Sequence, residues 1–93
     1  MVLTGTIREI SNEIQTVGNS KIREFEIEEV NERMPQYNNF FLLKLVNKHV
    51  SLIDNFKVND TVNVSCAIKS KKYIVEEKRK FAVTFEVYKI EKV

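Results

Sequence analysis

Five β-strands with one short helix between the third and fourth predict an all-β, five-stranded Greek-key barrel of the OB type. Three observations carry that prediction. Apolar and polar residues alternate through five segments, and turn-forming residues separate them at short intervals. The only helical spacing in the chain lies between Asn47 and Phe56. Small SH3-like barrels also have five strands, and the place of the helix separates the two classes. A length of 93 residues suits one such domain, spanning residues 1–93.

The first strand holds Leu3, Ile7 and Ile10, with Gly5 at a position where a strongly bent strand wants no side chain. The odd step from Ile7 to Ile10 predicts a bulge between them. Ile14 and Val17 extend the pattern to a turn at Gly18-Asn19-Ser20. Arg23 to Glu28 alternates with period two and turns Phe25 and Ile27 inward. Asn31 to Asn39 is polar, carries the only proline, Pro35, and reads as a loop. The third strand, Phe40 to Val46, is apolar on nearly both faces. With Phe41, Leu43 and Leu45 inward, Phe40 and Leu42 lie outside and require a partner, although a strand apolar on both faces leaves open which of Phe40 and Phe41 is the exposed ring.

Val50, Ile53 and Phe56 recur along one side of the short helix, and Lys57-Val58-Asn59-Asp60 reverses the chain. The fourth strand, Thr61 to Ser70, turns Val62, Val64, Cys66 and Ile68 inward. The fifth does the same with Phe81, Val83, Phe85 and Val87. Between them Lys71 to Lys80 reads as the charged tip of a hairpin.

Several function classes fall away on composition. No segment approaches the ~18–20 continuous apolar residues of a membrane span, and the N-terminus lacks the features of a signal peptide. One cysteine excludes an intrachain disulfide and any Cys-cluster metal site. An unpaired thiol fits a reducing cytoplasm. With one His, one Cys and no glycine-rich phosphate loop, the sequence offers neither a catalytic set nor a metal or cofactor site. His49 on the helix and Cys66 inside a strand read as an exposed imidazole and a core thiol. We therefore expect a binding protein without cofactors, not an enzyme.

The stretch from Ser51 to Val64, read as Leu-x-Asp-Asn-Phe-x-Val-x-Asp-x-Val-x-Val, resembles the helix-to-strand-four junction of small bacterial and phage OB-fold proteins. Many of those are similar to single-stranded-DNA-binding proteins, and others form a family of unassigned function. Leu3-Thr4-Gly5-Thr6-Ile7 and Tyr88-Lys89-Ile90-Glu91 are similar to their first strand and their ending. The resemblance implies an OB-fold and, for part of the group, single-stranded DNA as ligand. Asn59 stands where the family has glycine, a tolerable exchange because Asn enters the left-handed region readily. The family's tryptophans are absent here.

Charge distribution supports nucleic acid on its own ground. The net charge is +2, yet residues 1–60 hold seven basic and nine acidic groups, while residues 61–93 hold eight and four. Lys69, Lys71, Lys72, Lys78, Arg79 and Lys80 crowd the connection between the last two strands, against Glu76 and Glu77. In an OB-fold that connection flanks the oligonucleotide face. Cations there follow phosphates, and rings beside them stack on bases. Tyr73, Tyr37 and Phe40 are the candidate rings, and Lys21 and Arg23 complete the candidate set. Phe81 continues the inward alternation and reads as core. A Lys-rich hairpin also serves simply to keep an edge soluble. Glu24, Glu26 and Glu28 on one strand face oppose phosphate binding. The alternative is a protein-interaction or homo-oligomer module that uses Phe40, Leu42 and that acidic face, without nucleic acid. DNA, RNA and protein ligands all remain open at this point.

Overall fold

The computed structural model describes residues 1–29, 34, 36 and 38–93, and the statements below concern those residues. Six strands form in order: β1 Val2–Ile10, β2 Gln15–Val17, β3 Ser20–Glu29, β4 Asn39–Val46, β5 Thr61–Val75 and β6 Lys78–Lys92. Each of β1, β5, β6, β4 and β3 pairs with the next, and β3 pairs back onto β1. Five strands thus close a ring, with β4 and β6 its one parallel seam. This is the predicted OB-fold barrel. The short β2 forms a hairpin arm with the start of β3, turning at Gly18, whose φ of 60° suits the first central position of a type II′ turn.

Ring closure depends on β1 serving two neighbours. Val2–Thr6 pairs with β5, and Thr6–Ile10 pairs with β3, with a register shift between Ile7 and Glu9 where the bulge was expected. Gly5 sits at the crossing. A Cβ there would stand 2.7 Å from the Glu28 carbonyl oxygen, so no side chain fits. Asn59 has φ 82°, the left-handed conformation expected of it. Its N–H donates to the Ile7 carbonyl at 2.8 Å, tying the turn to β1.

The helical segment between β4 and β5 is two short 3-10 turns, Asn47–His49 and Leu52–Asn55. Of the three residues at helical spacing only Ile53 lies within a 3-10 turn, since Val50 caps the first turn and Phe56 ends the second in extended conformation. Ile53 is fully buried in the core, and Val50, Leu52 and Phe56 pack against that core. The core also holds Leu3, Ile7, Phe25, Ile27, Leu43, Leu45, Val62, Val64, Cys66 and Val87. Burying each large apolar side chain is worth about 1.5–3 kcal/mol. No helix here is long and apolar enough to cross a membrane.

One expectation needs correction. Phe81, Val83 and Ile68 were assigned to the core, and they are 62%, 58% and 50% exposed. The alternation placed them on the correct face, but the barrel ends before it reaches them. The β4–β6 seam stops at Leu43 and Phe85, and β1 leaves β5 at Ser65. Beyond that, β5 and β6 continue as a two-stranded arm, pairing as far as Val75 and Lys78. The segment Lys71–Lys80 is therefore strand, not loop, except for the turn Glu76-Glu77. The arm stretches the molecule: its radius of gyration is 14.6 Å, against about 12 Å for a compact chain of this length.

Candidate nucleic-acid interface

Strand register sorts the arm's side chains onto two faces. Lys69 opposes Thr84, Lys71 opposes Ala82, Tyr73 opposes Lys80 and Val75 opposes Lys78. These residues share one face, because side chains alternate with period two. Lys72 and Arg79 fall on the other face, among Ile68, Ile74, Phe81 and Val83. The six basic residues that the sequence presents as one cluster are thus split four to two.

The four-cation face continues onto the outside of the barrel. Lys69, Lys71, Ala82, Thr84 and Glu86 form one wall of a groove of about 320 Å³, whose other wall is Val17, Ser20, Ile22, Lys44 and Val46. The groove therefore runs between the β2–β3 hairpin and the β5–β6 arm, across the outer side of β4. A neighbouring depression shares Val46, Lys69 and Glu86 with it and adds Lys48 and His49. Lys69 is committed to an ion pair with Glu86, which leaves Lys44, Lys71, Lys78 and Lys80 as the free cations of this face. Lys44 escapes a search for basic clusters because it stands alone among apolar residues. Its parity with Leu42 was the signal that placed it outside.

Phe40 and Leu42 are 60% and 61% exposed on this outer side, as the inward parity of Phe41, Leu43 and Leu45 required. Phe41 meets Phe85 edge-to-face, 5.7 Å between centroids, at the mouth of the barrel. Tyr73 is exposed on the cationic face of the arm. Tyr37 lies outside the described residues.

Lys21 and Arg23 lie elsewhere. Both take the opposite side of β3 from Ile22 and Glu24. The Arg23 guanidinium donates to Asp54 Oδ1 at 2.6 Å and to the Ser11 carbonyl at 2.9 Å. It pins the 3-10 segment against the barrel and is only 14% exposed, so a phosphate finds it occupied. Its even spacing from Phe25 and Ile27 puts it on their side of β3, but its partner Asp54 lies 31 residues away and is set by the tertiary fold.

The three carboxylates that share one face of β3, Glu24, Glu26 and Glu28, are not equivalent. Arg8 Nε donates to Glu28 Oε1 at 2.9 Å, and Asn38 donates to Oε2 at 2.7 Å. The Asn38 hydrogen bond, then that of Arg8, holds the Glu28 carboxyl below the usual carboxylate range. Glu24 faces Lys44 across the β3–β4 pair, in the register that opposite charges favour. Glu26 lies beside Glu9 of β1, and no ion pair among the described residues involves either. The outer face therefore has a basic end toward the arm and an acidic end toward β1.

Cys66 is buried, and desolvation pushes its thiol pKa up, away from a reactive thiolate. Among the described residues no group of three or more His, Cys, Asp or Glu could hold a metal ion.

The family described as a domain of unknown function, DUF3127, matches residues 2–91. No curated protein matches the chain. Among solved structures, the small single-stranded DNA-binding protein from Streptomyces coelicolor superposes with a TM-score of 0.64. The match covers 100% of this chain and 92% of that one, at 13% identity, and so establishes a shared fold.

Proposed function

The chain belongs to the DUF3127 family, and from that premise we propose that it binds single-stranded nucleic acid, DNA in particular. One observation carries the reading. Lys44 and Lys71 line the groove, Lys78, Lys80 and the exposed ring of Tyr73 continue its face along the arm, and the ring of Phe40 is exposed on the same outer side of β4. Cations spread over β4, β5 and β6 offer contacts to the phosphates of one nucleic-acid strand, and stacked rings add about 1–3 kcal/mol per base without demanding a sequence. The fold shared with a protein named for single-stranded DNA binding supports the same reading. The role is binding and not catalysis, and the cytoplasm is the compartment we infer.

The acidic end of the face sets the path. Glu9 and Glu26 repel phosphates, so a strand follows the arm and the β2–β3 hairpin and leaves the β1 side uncovered. Fluorescence anisotropy with a labelled oligo-dT at two salt concentrations tests this. Submillimolar binding that weakens steeply with salt is the expected result. No binding at low salt, or binding indifferent to salt, refutes it.

A further inference from the structure

The second face of the arm has no role in that reading. Ile68, Ile74, Phe81 and Val83 are 50%, 71%, 62% and 58% exposed on it, together with Lys72 and Arg79. Both edges of the arm lack strand partners beyond Phe85 and Ser65. A two-stranded ribbon with free edges and an exposed apolar face is marginal alone in water. Such a face marks an interaction surface.

We propose that this face seats on the barrel of a second copy of the chain, each copy placing its arm across the acidic end of the other. The receiving surface is a shallow depression of about 450 Å³ that includes Ile10, Leu42 and Val58 with Glu9, Glu24 and Glu26. Leu42 and Val58 are exposed there. Arg8 also lines the depression, but its guanidinium is engaged by Glu28. The two surfaces complement one another in kind. Apolar side chains with two free cations meet apolar side chains with three carboxylates outside any ion pair among the described residues.

The apolar face of the arm is long enough to cross the receiving patch and to extend beyond it. The eight residues from Ile68 to Val75 extend about 26 Å at ~3.3 Å per residue. The receiving patch crosses three adjacent strands, through Glu9, Glu26 and Leu42, only about 10 Å wide at ~4.8 Å per strand. Donor and acceptor lie on the same chain, so a reciprocal exchange about one two-fold axis uses both contacts and closes as a dimer, whereas a head-to-tail arrangement of the same surfaces gives larger assemblies, which sedimentation distinguishes. Exchange leaves the Lys71, Lys78 and Lys80 face open for a ligand, and it gives the acidic patch a partner.

Sedimentation of the full chain without nucleic acid tests the dimer, independently of the ligand reading. Twice the 10.9 kDa chain mass is expected, with dissociation at high dilution. Phe81→Asn with Val83→Thr should give a folded monomer by circular dichroism. Lys72→Glu with Arg79→Glu, or Glu24→Lys with Glu26→Lys, should weaken the dimer at least tenfold, and combining the two reversals should restore it. A native chain that stays monomeric to its solubility limit overturns the proposal. So does a dimer indifferent to these substitutions. A monomer whose Lys72 and Arg79 reversals weaken oligo-dT binding overturns it in favour of nucleic acid on both faces.

Discussion

Splitting the basic arm by strand parity makes a prediction that the residue cluster alone does not. Lys71, Lys78 and Lys80 share the groove face, while Lys72 and Arg79 point away from it. Single-stranded binding loses affinity with salt at a slope of about −0.7 per phosphate neutralised. Four free cations, Lys44 included, give a slope near −2.8, or about a 50-fold loss from 50 to 200 mM salt. Converting Lys71, Lys78 and Lys80 to Ala should bring the slope to about −0.7 and cost about 10²-fold in affinity at 0.1 M. Converting Lys72 and Arg79 to Ala should leave the slope unchanged. Anisotropy titrations of labelled oligo-dT across a salt series measure both variants. Equal slope changes per residue removed would show that the arm acts as an undirected cationic tail, and the groove assignment would be wrong.

Gly5→Ala forces a Cβ to 2.7 Å from backbone at Glu28, and urea unfolding should show a loss of about 1–3 kcal/mol. At the arm's tip Glu76 and Glu77 hold φ of 52° and 63°, so Glu76→Asn with Glu77→Gly should stabilise the arm by about 1 kcal/mol. Slower amide exchange across β5 and β6 checks it. Glu28 has a folded pKa below its unfolded value. The stability it adds is therefore present above the unfolded carboxylate pKa of ~4.3 and is lost as pH falls through the folded value. Glu28→Gln should flatten the acid side of the stability profile relative to wild type in urea titrations.

Much of this molecule was legible from residue order. The bulge after Ile7, the bend at Gly5 and the left-handed turn at Asn59 are local properties. Each follows from the conformation of one residue or the parity of one strand. A strand apolar on both faces instead left the choice between Phe40 and Phe41 to the fold. The helical segment was legible in place but not in kind: it is two short 3-10 turns broken at Val50 and Ser51.

What alternation cannot state is where a sheet stops being covered. Phe81, Val83 and Ile68 carry the same pattern as Val87 and Cys66, and only the ends of the β1 and β4 pairings leave the first three exposed. The fate of individual cations likewise depended on non-local partners. Arg23 is taken by Asp54, Lys69 by Glu86, and Lys44 is recruited to a groove whose other wall lies 25 or more residues away in the chain. The sequence by itself determined the barrel, the parity of every strand but β4 and the concentration of positive charge near the last connection, because those depend on neighbours in the chain. Only the tertiary structure decided that the connection is a projecting arm with one cationic and one apolar face. Pairing length and ring closure are set by strands distant in sequence.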